Sequence, residues 1–215
     1  MTTPIEVIIT DWSGVLSDDL SRVHDTTNKT LVHYGAKEIP LQQFKREFDI
    51  PFENFYERMD VFNPMKEVQK TFGKLYESSK VKIKPFSGIR ETLRFLKEQQ
   101  DKALILASGH RPEYIKREAE SYGITKYFNR IKGGFPLKGD VMDEVIKEFG
   151  VDPEKILLVE DMECALRDAK QRGINTLAIA GEGSYRTYAK LMASKPDFIA
   201  SDFYCLKLCW YNFFT

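Results

Sequence analysis

Short apolar runs that alternate with helical patterns constrain the fold of this chain more than any other feature. The runs predicted as strands are Val7–Thr10, Ala103–Ala107, Ile156–Val159 and Thr176–Ala180. They are almost uniformly apolar, which is typical of parallel strands that are covered by helices on both faces. From Pro85 onward, strands and helical patterns follow each other regularly. We therefore predict an α/β fold with a doubly wound, Rossmann-like parallel sheet.

One long block of residues interrupts this alternation. Residues 18–79, which we call the helical block, contain helical patterns and no convincing strand. The candidate helices are Val23–Tyr34, Leu41–Phe48, Phe52–Met59 and Met65–Tyr76. In the last of these, Val68, Phe72 and Tyr76 recur at the spacing of one helix face. The pattern predicts a small all-helical bundle inserted into the first crossover of the sheet.

Polar residues follow the predicted strands at the points where these strands end. Asp11 follows the first strand, Ser108 and Gly109 follow the second, and Glu160 and Asp161 follow the third. Ligands of open parallel sheets bind beyond the carboxyl ends of the strands, and these ends meet at one edge. Each residue alone has a simpler explanation, such as a turn or a helix cap. Their order along the chain favours a common site.

These residue types suit the transfer of a phosphoryl group. The reaction requires a nucleophile in line, donors for the equatorial oxygens, a cation and a metal site. Asp11 would be the nucleophile, the Ser108 hydroxyl a donor, and Lys138, just before a helix start, the cation. Asp11 and Asp161 would hold a hard divalent ion such as Mg²⁺, which prefers oxygen ligands.

Together the motifs resemble those of the haloacid dehalogenase superfamily along nearly the whole chain. The matching segments are Asp11-Trp12-Ser13-Gly14-Val15-Leu16, the strand that ends at Ser108, Lys138 in Lys-Gly-Asp, and Val159–Leu166. The last segment is similar to that of β-phosphoglucomutase and its phosphatase relatives. The resemblance implies a Mg²⁺-dependent hydrolase that acts on a small phosphorylated metabolite through an aspartyl-phosphate intermediate.

The resemblance also implies site residues and domain bounds. The implied catalytic residues are Asp11, Ser108 and Lys138, and the implied substrate-binding residues are Ser108, Gly109, His110 and Lys138. The implied metal ligands are Asp11, the backbone carbonyl of Ser13, Glu160 and Asp161. Residues 1–17 and 80–215 would form the α/β core domain. Residues 18–79 would form a cap that closes over the site, excludes water and selects the substrate.

Ser13 departs from the family pattern, in which this position is a second Asp that serves as general acid/base. A serine hydroxyl does not exchange this proton well near neutral pH, so we expect slow or unusual chemistry. The first alternative is a phosphonatase-like hydrolysis of a carbon–phosphorus bond, which would need a cap lysine. Lys45 is the nearest candidate, and we expect it on a solvated helix face. The second alternative is a non-enzymatic protein that binds a phosphorylated ligand.

Composition limits the partners of the chain. Its 32 basic and 32 acidic side chains cancel and no basic cluster is present, so we expect no nucleic-acid or membrane partner. The first residues lack the regions of a signal peptide and there are three cysteines, which favours the cytoplasm. The aromatic tail Phe203–Phe214 is predicted to be a terminal helix that packs on the sheet layer, with a dimer interface as its alternative. We expect a monomer or a homodimer.

Overall fold

The computed structural model describes residues 4–214, except for the side chain of Phe213. The strands are β1 Val7–Thr10, β2 Ser17–Asp18, β3 Lys84–Pro85, β4 Ala103–Ala107, β5 Arg130–Lys132, β6 Ile156–Glu160, β7 Asn175–Ile179 and β8 Phe198–Ala200. The helices are α1 Leu20–His33, α2 Leu41–Glu47, α3 Phe52–Arg58, α4 Met65–Ser78, α5 Ile89–Arg94, α6 Pro112–Tyr122, α7 Gly139–Phe149, α8 Glu163–Gln171, α9 Tyr188–Ala193 and α10 Tyr204–Phe213. Helix α5 continues as a π-helical segment, Phe95–Gln99.

The main sheet has six strands in the order β5-β4-β1-β6-β7-β8, and every neighbouring pair is parallel. Strand β1 lies at its centre, where Thr10 is level with Leu106 of β4 and with Val159 of β6. Alternate side chains of β1 enter different core clusters, because Ile8 packs on one face while Val7 and Ile9 pack on the other. The predicted doubly wound α/β fold is confirmed.

The helical block has an apolar cluster of its own, separate from the clusters on the two faces of the main sheet. Its buried members include Leu31, Phe44, Phe55 and Val68. Tyr185, from the α/β part of the chain, also packs into this cluster. The cluster therefore extends from the four inserted helices onto the carboxyl edge of the main sheet.

The chain enters and leaves the helical block through two adjacent segments. Strands β2 and β3 pair antiparallel, with Ser17 opposite Pro85 and Asp18 opposite Lys84. These short strands were not predicted from the sequence. Strand β2 spans the predicted boundary between residues 17 and 18, whereas β3 begins after the predicted boundary between residues 79 and 80. The first three residues and the last residue of the predicted core domain lie outside the described residues.

The tail packs on the sheet layer, as we expected. Phe203, Leu206, Trp210 and Phe214 are buried in the same core cluster as Ile8. The predicted contact of Phe213 lies outside the described side chains. Among the helices of residues 4–214, none has the length and apolar character that crossing a membrane would require.

Candidate active site

Three buried carboxylates meet at the carboxyl edge of the main sheet. Asp11 follows β1, Glu160 ends the neighbouring strand β6, and Asp161 follows it. One oxygen of each lies within 4.8 Å of the others, and all of these residues are buried. Parallel register explains the convergence, since Thr10 is level with Val159 and the next residues are therefore neighbours. The structure thus brings together the three carboxylates that the sequence prediction assigned to the metal site.

Lys138 provides the positive charge within this cluster. The residue immediately precedes α7, and its buried Nζ lies 3.1 Å from Asp11 Oδ1 and also contacts Glu160 Oε2. Burial alone would lower the pKa of Lys138, but the charges of Asp11 and Glu160 outweigh this effect and raise it. Lys138 is therefore positively charged at neutral pH.

The two acidic residues at the end of β6, Glu160 and Asp161, differ in the hydrogen bonds that their carboxylate oxygens accept. Glu160 Oε1 accepts from the backbone amides of Asp161 at 2.9 Å and Met162 at 3.0 Å, while Oε2 contacts Lys138. Asp161 Oδ2 accepts from the Tyr185 amide at 2.5 Å. Its Oδ1 is buried and has no hydrogen-bond partner among the described residues. Asp161 therefore has a free buried ligand atom, whereas both Glu160 oxygens are occupied.

Burial and mutual repulsion raise the pKa values of the acidic pair. For Glu160 the larger cause is burial, followed by the charge of Asp11. For Asp161 burial is again the larger cause, followed by the charges of Glu160 and Asp11. A divalent cation at this point would offset the repulsion, and carboxylate oxygens are suitable ligands for Mg²⁺. The donor set and the unpartnered Asp161 Oδ1 therefore fit such an ion.

The segment after β4 carries the predicted phosphate donors. Ser108 is buried, and its Oγ accepts from the His110 amide at 3.2 Å, which leaves its own proton available for donation. Ser108, Gly109 and His110 all line the cavity that contains Asp11. The His110 ring packs edge-on against Tyr76 of α4, with centroids 5.1 Å apart. His110 thus contacts the helical block as well as the cavity.

The turn after Asp11 requires a glycine at position 14. Gly14 has a φ of +75°, and a Cβ on this residue would lie 2.1 Å from Asp161 Oδ2. A side chain here would therefore collide with the buried carboxylate. Gly14 lets the loop that begins at Asp11 approach Asp161 closely.

Asp19 is a functional-site candidate that the sequence reasoning missed. Ser13 Oγ donates to Asp19 Oδ2 at 2.7 Å, and the Tyr185 hydroxyl donates to Asp19 Oδ1 at 3.0 Å. Asp19 is fully buried, and burial raises its pKa to about 6 even though His110 and the Ser13 hydrogen bond oppose the shift. No sequence pattern marked Asp19, because its partners are brought to it by tertiary structure.

Lys45 is not on a solvated helix face, and that expectation was wrong. The residue is only 9% exposed, and its Nζ donates to the Glu182 carbonyl at 2.6 Å. Burial lowers the pKa of Lys45, although the charges of Asp161 and Glu182 partly counter the effect. The periodicity of α2 could not show that a loop distant in sequence covers this face.

The site opens into a cavity of about 370 Å³ between the sheet edge and the helical block. Asp11, Ser108, Lys138 and Asp161 lie on the sheet side of this cavity, and Ser13 also lines it. A basic side chain, a hydroxyl and carboxylates around one cavity are groups that could bind a phosphoryl group and stabilise its transfer.

Comparison with known proteins agrees with this class. A family model described as haloacid dehalogenase-like hydrolase matches residues 8–179, and the chain belongs to this family. The predicted superfamily and its hydrolase class are therefore confirmed.

Relatives of this family match almost the full chain. A phosphoglycolate phosphatase of Aquifex aeolicus is 29% identical over 204 residues, which are 92% of each protein. A phosphorylated carbohydrates phosphatase of Thermotoga maritima is 24% identical over 194 residues, 80% of this chain and 84% of the relative. The structure of a haloacid dehalogenase-like hydrolase from Streptococcus pneumoniae superposes with a TM-score of 0.82 at 21% identity, covering 97% of this chain and 98% of that one.

Proposed function

We propose that this protein is a Mg²⁺-dependent phosphatase that hydrolyses a small phosphorylated metabolite. The observation that carries the proposal is the position of Lys138, whose Nζ contacts Asp11 and Glu160, two members of the buried cluster that also contains Asp161. A phosphoryl group bound there would face a nucleophile and a cation together. The phosphatase names of the two curated relatives support the proposal.

Each site residue has a separate task in the proposed mechanism. Asp11 attacks the phosphorus, and the bond to the ester oxygen breaks as this oxygen takes a proton from water and leaves as the alcohol. Water then hydrolyses the aspartyl-phosphate, which releases inorganic phosphate and restores Asp11. The Ser108 hydroxyl donates to a phosphoryl oxygen, and Lys138 stabilises the negative charge that develops. The Gly109 amide follows Ser108 at the same edge of the cavity and would orient the phosphoryl group, whereas the His110 amide already donates to Ser108 Oγ.

We propose that Mg²⁺ binds to Asp11 and Asp161, with the Ser13 carbonyl as a further ligand. The ion would offset the charge of these carboxylates and of the phosphoryl group during transfer. Glu160 has a different role in this proposal, since its oxygens are taken up by two amides and by Lys138. It would hold Lys138 in place and contribute charge to the metal site without direct contact.

We further propose that turnover is slow on simple phosphate esters. The Ser13 hydroxyl replaces a carboxylic acid, and its proton is already donated to Asp19. A hydroxyl in this state is a poor acid for a leaving alcohol. The helical block would act as the cap over this site, and the protein would work in the cytoplasm as a monomer or homodimer.

The phosphonatase alternative finds less support. It requires a cap lysine that reaches the substrate carbonyl, and Lys45 instead donates to the Glu182 carbonyl. Lys45 is also absent from the described residues that line the cavity. The alternative of a binding protein without turnover is decided by the assay below.

The test is hydrolysis of p-nitrophenyl phosphate with Mg²⁺ and with EDTA. We expect phosphate release that requires Mg²⁺ and that Asp11→Asn abolishes. A protein that binds Mg²⁺ and phosphate in calorimetry but releases no product would be the non-enzymatic binder. Borohydride trapping of a carbonyl substrate on Lys45 would instead favour the phosphonatase alternative.

A further inference from the structure

The cavity beside Asp11 has two ends of different chemistry. The sheet end carries charged groups such as Asp11 and Lys138. The opposite wall comes from the helical block, and it presents the aromatic rings of Phe48, Phe52 and Phe72. All three rings are only half-buried, so part of their apolar surface remains outside the packed core of the block.

The wall formed by the helical block is uncharged. Among the described residues of 18–79, none that lines the cavity is acidic or basic, and the polar ones are Thr27, Tyr56 and Gln69. Tyr56 is buried and its hydroxyl already interacts with Thr27 and Thr30. Few polar groups on this wall are therefore free to form hydrogen bonds with a polar substrate.

The basic side chains on the other wall are Lys138, His110 and Arg111, and Arg111 is partly exposed and held in place by other groups. Arg111 donates to the Gln69 backbone carbonyl at 3.0 Å, and its guanidinium stands 5.7 Å from the centroid of the Tyr114 ring. Its side chain is 43% exposed. A carboxylate on the leaving group would lose its hydration against the rings of the helical block, whose described cavity-lining residues include no cation, and this loss is costly.

We infer that the substrate is a phosphate monoester whose organic part is an apolar, ring-sized group. The inference rests on the phosphatase function proposed above and adds the class of leaving group. The phosphoryl group would bind at Lys138, and the ring would pack among Phe48, Phe52 and Phe72. Enclosure by aromatic side chains with a few charged groups at one end is the usual form of such a ligand site.

The first experiment compares esters of primary alcohols, so that the leaving groups have similar acidity. Benzyl phosphate, 2-phosphoglycolate and glycerol 1-phosphate are assayed with the wild-type protein and Mg²⁺. We expect kcat/KM for benzyl phosphate to exceed the other two by at least about tenfold. An equal or higher value for 2-phosphoglycolate or glycerol 1-phosphate would overturn the inference and leave the phosphatase proposal standing.

Variants test whether the rings determine this preference. Phe52→Ser and Phe72→Ser should each lower the ratio of benzyl phosphate to glycerol 1-phosphate kcat/KM by about fivefold or more. Phe62→Ser is the matched control, because Phe62 is 76% exposed and does not line the cavity, and it should keep the wild-type ratio. Thermal melting establishes that each variant is folded. Unchanged ratios in both folded test variants would refute the assignment of the rings.

Binding separates this inference from the phosphatase proposal. Calorimetry measures the affinity of the wild-type protein for benzylphosphonate and methylphosphonate in the presence of Mg²⁺, since neither compound is a phosphate ester. We expect benzylphosphonate to bind at least about tenfold more tightly. If no ester is hydrolysed, the phosphatase proposal fails, and this affinity ratio then decides only whether the cavity prefers a ligand with an apolar ring. Equal affinities would overturn it.

Discussion

Asp19→Asn is expected to stabilise the protein at neutral pH. Burial raises the pKa of Asp19 from its ordinary 3.8 to about 6, so the folded state retains a proton that the unfolded chain has lost. Stability therefore falls as pH rises between these values and stays lower above them. This rise in the pKa of Asp19 corresponds to about 3 kcal/mol of lost stability at neutral pH.

Asparagine carries no charge at any pH and occupies nearly the same volume. The hydroxyls of Ser13 and Tyr185, which both donate to Asp19, can each donate or accept, so an amide can keep both contacts. Asp19→Asn should consequently recover up to about 3 kcal/mol in the free energy of unfolding at pH 7.5. Roughly half of that gain should be present at pH 5, because the wild-type carboxyl is largely protonated there in the folded state.

Urea unfolding from pH 5 to pH 8 at a fixed Mg²⁺ concentration measures this difference. The matched control is Asp18→Asn, which removes the neighbouring carboxylate and an exposed ion pair with Lys84 at 3.6 Å. Such a pair contributes little, and the control should stay within about 1 kcal/mol of the wild type. The reasoning is refuted if Asp19→Asn is no more stable than the wild type at pH 7.5, or if its gain is the same at both pH values.

Three further predictions concern the proposed chemistry. Asp11→Asn should reduce the rate of p-nitrophenyl phosphate hydrolysis below about a thousandth of the wild-type rate with an unchanged circular dichroism spectrum, because an amide is not a nucleophile; retention of half the rate would rule out a covalent intermediate. EDTA should abolish hydrolysis, and Asp161→Ala should weaken Mg²⁺ binding in calorimetry, whereas full activity in chelator would point to metal-free chemistry. Ser13→Asp alone should hydrolyse the same ester more slowly than the double variant Ser13→Asp with Asp19→Asn. In the single variant two carboxylates would repel each other, because Ser13 Oγ now lies 2.7 Å from Asp19 Oδ2. Equal rates would mean that Asp19 does not oppose a carboxylate at position 13.

The central sheet was predictable because its strands are apolar on both faces. The three central strands are Val7–Thr10, Ala103–Ala107 and Ile156–Glu160. Their almost uniformly apolar composition indicates that they are buried. Strands β5 and β8 at the two edges were missed, since Arg130–Lys132 and Phe198–Ala200 are three residues long and do not form an apolar run. Edge strands lack a second neighbour, so their side chains are under a weaker requirement to be apolar.

The site was predictable only as far as strand order determines it. Asp11, Ser108 and Asp161 converge because parallel strands end at one edge, and this rule needs no knowledge of side-chain packing. Asp19 and Lys45 follow no such rule. Their environments depend on loops far away in sequence, with Tyr185 over Asp19 and Glu182 over Lys45.

Tyr185 connects the features that distinguish this site from a simple strand-end cluster. Its backbone amide donates to Asp161, its hydroxyl donates to Asp19, and its ring lies 5.6 Å from that of Phe48 in the helical block. Asp161 belongs to the proposed metal site and Phe48 to the proposed leaving-group wall. A displacement of Phe48 would therefore disturb the residue that orients both buried carboxylates. Position 13 has a hydroxyl in place of an acid, and the buried carboxylate of Asp19 accepts a hydrogen bond from this hydroxyl at a cost in stability. Buried carboxylates that lower stability are more common at functional sites than in cores built for stability.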